Sequence, residues 1–114
     1  MEALEARRVA LISLLAYDRP IEDVRAALAE FEWDCSEPLV SLTSEHLLPI
    51  LRRFLAGELT AEAVEAWADL VEVRDDIAFP DDQVLDAIFM LANPMTNGVL
   101  DNQLAERLVL EISG

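Results

Sequence analysis

The chain contains no lysine, a single cysteine, a single histidine and only three glycines among its 114 residues. Each scarcity closes off a class of chemistry. Cys35 cannot form an intramolecular disulfide, and a lone thiol fits a reducing compartment. Cys35 and His46 could make at most one thiol–imidazole pair, yet nothing near either supplies the base and orienting group that a nucleophile requires. Both are read as structural, a small buried thiol and a polar residue in the first turn of a helix. Zinc lacks the ligands for a dedicated site. Gly57, Gly98 and Gly114 belong to no GxGxxG or GxxxxGK loop, so no nucleotide-phosphate cradle is expected. All positive charge comes from eight arginines, which cluster only at Arg7–Arg8 and Arg52–Arg53; nucleic-acid binding is disfavoured.

What is abundant is negative charge. Twenty-three acids give a formal net charge of −15, which repels nucleic acid and anionic membrane and attracts basic partners. Such a charge also marks disordered chains, but an apolar content of 54% argues for a folded core. The length suits one domain spanning 1–114, large enough to fold without metal or disulfide staples. Arg7 and Arg8 followed by apolar Val9 to Tyr17 imitate a secretory signal. Glu2 and Glu5 lie in the charged region, however, and no small-x-small cleavage site follows, so a buried helix is expected. The run is far too short to span a bilayer, and the default location is cytoplasmic.

Helical spacing dominates. The expected helices run over about 3–16, 20–33, 43–56, 60–76, 80–92 and 100–112, giving an all-α, compact five- or six-helix bundle. Their ends carry recognisable signals: Pro20 and Pro80 at starts, Thr43 or Ser44 and Thr60 as N-caps, Gly57 as a stop, and Asn97–Gly98 as a turn. Pro49 is expected in the first turn or so of the third helix, where its missing N–H is tolerated. The segment from Asp34 to Thr43 reads as a partly buried connector and Arg74 to Phe79 as a break, with no convincing strand alternation. The short link at Gly57–Thr60 predicts that the third and fourth helices are antiparallel neighbours.

The run from Thr60 to Asp76 is the least ordinary part. At about 100° per residue, Glu62, Glu65, Asp69, Glu72 and Asp76 fall within roughly 80° of one another, while Val64, Trp67 and Val71 lie nearly opposite. No basic residue is spaced to pair with these acids, and each like-charge neighbour at three or four residues costs about 0.2–0.5 kcal/mol. Negative charge near a helix C-terminus is unfavourable as well. Asp75, Asp81 and Asp82 extend the acidic stretch. With Asp86 they suggest calcium, but the alternate-acid order, central glycine and terminal glutamate of an EF-hand are missing. On an exposed helix face such carboxylates are not placed for acid–base catalysis, and no reaction is expected. The candidate partner-binding residues are therefore Glu62, Glu65, Asp69, Glu72, Asp75, Asp76, Asp81 and Asp82. Trp67 should face the core, while Trp33 and Phe79 sit at element ends where either could anchor a partner or simply pack inward.

Residues Phe54-Leu55-Ala56-Gly57-Glu58-Leu59-Thr60 and Ala61-Glu62-Ala63-Val64-Glu65-Ala66-Trp67-Ala68 form an FLxGxLTxxxVxxWA pattern. It resembles the helical hairpin of small bacterial toxin-immunity proteins, including the colicin D type and the immunity partners of contact-dependent inhibition systems. The resemblance implies a cytoplasmic helical protein that binds a basic cognate toxin, often a nuclease, through acidic residues and blocks its active site. The Tyr-Tyr-Pro segment of the E-group nuclease-colicin immunity proteins is absent. Two rival functions fit the same composition: mimicry of nucleic acid to occupy a DNA-binding protein, and a non-catalytic helical assembly module. None of the three calls for a cofactor or a metal.

Overall fold

Local signals and one long-range ion cluster together shape the bundle. The computed structural model describes residues 2–31, 38–74 and 76–113. Its elements are α1 (Glu2–Ala16), α2 (Ile21–Leu28), β1 (Val40–Ser41), α3 (Ser44–Leu55), α4 (Ala61–Glu72), β2 (Ile77–Ala78), α5 (Asp82–Ala92), α6 (Pro94–Asn97) and α7 (Asn102–Ser113). Six of these are helices of eight residues or more and α6 is a single turn, so the fold is an all-α bundle. Its radius of gyration of 13.8 Å is close to the value of about 13 Å for a compact chain of 100 residues.

The helix ends show why the elements stop where they do. In α1 the last turn closes with Tyr17 N–H on the Leu14 carbonyl at 3.1 Å and Asp18 N–H on the Ser13 carbonyl at 3.4 Å. This is a Schellman closure, and it places Tyr17 at φ 50°, an unusual position for a side-chain-bearing residue. Arg53 braces it by donating Nη1 to the Tyr17 carbonyl at 2.8 Å, with its guanidinium 5.3 Å from the Tyr17 ring centroid. The same closure ends α3, with glycine in the demanding place: Gly57 has φ 85°, and Gly57 N–H and Glu58 N–H bond the carbonyls of Phe54 and Arg53. At the start of α3, Thr43 and His46 form a capping box. Thr43 Oγ1 accepts from Glu45 N–H at 3.3 Å and His46 Nδ1 accepts from Thr43 N–H at 3.1 Å. His46 thus has a local structural task.

Several expected boundaries move. α2 ends at Leu28, short of Trp33, which with Cys35 lies outside the described residues. Pro49 is the sixth residue of α3, past the first turn, so the helix forgoes the bond to the Glu45 carbonyl. Pro80 precedes α5, whose N-cap is Asp81.

The segments read as connector and break become a clasp. β1 and β2 pair in parallel, Val40 opposite Ile77 and Ser41 opposite Ala78. Leu39 N–H extends the pairing onto the Asp76 carbonyl at 2.8 Å, and Leu42 N–H reaches the Ala78 carbonyl at 2.8 Å. Two-residue strands cannot show alternation, so the sequence carried no signal for them.

α3 and α4 do meet beside their short link, but neither is the other's main packing partner. α4 packs chiefly on α5 and α3 chiefly on α7, while α3 and α4 touch only lightly. A short loop fixes the distance between helix ends; the apolar stripes decide which helix each one lies against. The core stripe of α4, with Val64, Trp67, Ala68 and Val71 fully buried, packs chiefly on α5, and Trp67 Nε1 reaches α1 by donating to the Leu14 carbonyl at 2.8 Å.

Candidate functional site

The acidic face is built on α4. Thr60 starts the helix by accepting Ala63 N–H at 3.1 Å, and four alanines within Ala61–Glu72 favour helix without dictating which side is apolar. That choice is made by Val64, Trp67, Leu70 and Val71, all buried. Glu62 and Asp69 are exposed and Glu65 and Glu72 half-buried on the remaining side. Among the described residues none of the four is paired with an arginine, and the last turn of α4 holds no base. Glu72 shows the consequence: partial burial, aided by the neighbouring Asp69 charge, raises its pKa above the ordinary carboxylate value.

The other expected members do not join this face in the same way. α4 ends at Glu72, with Val73 as its C-cap, so Asp76 is off the helix and out of the stripe. The expectation that Asp76 is a surface carboxylate is corrected: it is fully buried. Its carboxylate takes Arg7 Nε at 2.8 Å, Arg74 Nε at 2.9 Å and Arg74 Nη2 at 3.0 Å. Burial would raise its pKa, but the hydrogen bonds and charges of Arg74 and Arg7 outweigh that and hold it below the usual carboxylate range. Two guanidiniums face one carboxylate, and Arg7 Nη2 is buried with no hydrogen-bond partner. Asp75 lies outside the described residues. Asp81 and Asp82 are exposed at the start of α5, where Asp81 caps Gln83 N–H at 2.9 Å and Asp82 occupies the first turn. Phe79 packs against the core.

No nucleophile–base pair forms from these groups, and among the described residues no cluster of three or more His, Cys, Asp or Glu could hold a metal ion. No helix among them is long and apolar enough to cross a membrane. What the face offers is a row of unanswered negative charge on a rigid helix.

No protein-family model, curated protein or solved structure matches this chain. The residues that carry the hairpin pattern all have structural tasks: Gly57 takes the left-handed turn, Leu59 is buried, Thr60 caps, and Val64, Trp67 and Ala68 fill the core. Glu62 and Glu65 occupy the variable positions of that pattern. Sequence reasoning missed the apolar surroundings of these two, because Leu91, Pro94, Val99 and Leu100 come from segments thirty residues or so further on.

Proposed function

We propose that this chain is an immunity-type inhibitor, a cytoplasmic and non-catalytic protein that binds a basic cognate toxin, a nuclease in the first instance. Glu62, Glu65, Asp69 and Glu72 enter the toxin's positively charged cleft and neutralise it by occupation. Asp81 and Asp82 add to the attracting field from the start of α5, whereas Asp76 is withdrawn into the core.

The observation that carries this reading is the unrelieved charge of α4. Like charges at three- and four-residue spacing, ending at a helix C-terminus without a base, work against the helix that bears them; at Glu72, partial burial first and the Asp69 charge second raise the pKa. Such a surface speeds capture of a positive partner and selects it by charge. The resemblance of residues 54–68 to the immunity-protein hairpin points to the same partner class.

Co-expression with the product of the adjacent gene tests the reading: that product should arrest growth alone and not with this protein. A neighbour that is harmless alone, or equally toxic in both cases, overturns it. With a toxin in hand, the Glu65→Arg, Asp69→Arg, Glu72→Arg triple variant should associate at least about tenfold more slowly at low salt while keeping its helical circular dichroism.

A further inference from the structure

The N-terminal end of the acidic face borders an apolar cleft. Leu91, Pro94, Val99 and Leu100 wall it, and Glu62 and Glu65 stand at its α4 side. Its volume is about 140 Å³. Small-molecule and cofactor sites take about 300–1,000 Å³, so this one is sized for a single side chain. Leu91 and Leu100 belong to the core, whereas Val99 is 70% exposed and Met95, next to Pro94, is 99% exposed. The α5–α7 connection therefore holds Val99 in solvent beside two carboxylates that no described arginine answers, and Met95 is exposed one residue from Pro94 of the cleft wall.

We propose that this cleft is the anchor point of the partner surface and receives one arginine or lysine from a basic segment of a protein partner. The methylene stem of that residue lies along Pro94, Val99 and Leu91, its charged head pairs with Glu62 and Glu65, and an apolar neighbour in the partner covers Val99 and Met95. The inference rests on the basic-partner reading above and gives it a location. Long basic side chains combine an apolar stem with a charged tip, which is the chemistry the cleft presents. A pocketed anchor surrounded by weaker contacts is how interface energy is ordinarily concentrated. Asp69 and Glu72, further along α4, then act on the rate of encounter more than on the lifetime of the complex. A second copy of this chain is the poorer occupant, because two molecules at −15 repel.

The test is a backbone-amide NMR titration with two synthetic peptides of equal charge, Gly-Leu-Arg-Leu-Arg-Gly and Gly-Ser-Arg-Ser-Arg-Gly. The leucine peptide should shift Ala61, Glu65, Val99 and Leu100 and bind more tightly than the serine peptide. Its affinity should fall about tenfold in Glu62→Gln/Glu65→Gln and several-fold in Val99→Ser, with Glu30→Gln, outside the acidic face, nearly unchanged. All three sets of changes lie on exposed or half-buried side chains, so the fold is not at stake. If both peptides bind equally, shift Asp69 and Glu72 and ignore Val99→Ser, the cleft is overturned while the basic-partner reading stands. If neither peptide binds at low salt, both fall. Concentration-dependent shifts of the cleft amides without peptide, abolished by Val99→Ser, would make it a self-interface and also overturn the proposal.

Discussion

Arg7 and Asp76 are 69 residues apart in the chain and 2.8 Å apart in the fold. That contact ties α1 to the segment between α4 and β2, and Arg74 clamps the same carboxylate from two residues away. The Asp76 carbonyl meanwhile accepts Leu39 N–H, so one residue joins the first helix, the fourth helix and the strand clasp.

The stability of this junction is asymmetric. Asp76→Ala removes the carboxylate that two buried guanidiniums share and should cost about 3–5 kcal/mol in urea unfolding. Arg7→Met should cost much less, about 1–2 kcal/mol, because Arg74 still neutralises Asp76 and the unpartnered Nη2 of Arg7 is removed with its charge. Equal losses would show that the cluster is not arranged as described.

Acid should weaken the fold through Asp76. Its folded pKa lies below the unfolded one, so its contribution is complete above the ordinary aspartate pKa of about 3.9. It is lost as pH falls from there toward the folded value, because the unfolded chain takes up a proton that the native carboxylate refuses. Unfolding free energy measured between about pH 6 and 2 should therefore drop more steeply in the native sequence than in Asp76→Asn.

Glu72 should behave in the opposite sense. With its pKa raised, its ionised form opposes folding, and the stability it contributes when protonated is lost as pH rises through the carboxylate range. Glu72→Gln is expected to stabilise the protein at neutral pH by about 0.5 kcal/mol, relieving Asp69 and the helix C-terminus. The same variant should slow association with the basic partner. A gain in melting temperature joined to a loss of on-rate is the signature of a face kept for binding; a loss in both would place Glu72 among structural residues.

Gly57→Ala isolates the cost of a left-handed turn. A Cβ there would meet nothing within 4 Å, so steric clash is absent and only the backbone penalty at φ 85° applies. That penalty is about 1–2 kcal/mol. A change outside that range in thermal or urea unfolding would point to a role for the α3–α4 link beyond its geometry.

Most helices were readable because their causes are local. Thr43, Gly57 and Thr60 act on atoms within a few residues, and the face holding Glu62, Glu65, Asp69 and Glu72 follows from helical periodicity alone. Asp76 shows the limit of such reading. Extrapolating the period past Glu72 put it on the surface, whereas Val73 ends the helix and the partner that draws Asp76 inward is on α1. The two short strands were hidden for the same reason, since Val40 and Ile77 have no reason to be extended except each other.

By itself the sequence determined the class of the fold, an all-helical bundle, and the existence of a carboxylate row on α4, because hydrophobic spacing and capping act over a turn or two. Only the tertiary structure decided which helices touch, which acid is buried and which carboxylates adjoin an apolar cleft. Those outcomes depend on pairings across tens of residues: Arg7 with Asp76, Trp67 with Leu14, and Glu62 with Val99 across the cleft. Packing of the whole core selects among such pairings, and no local window contains it.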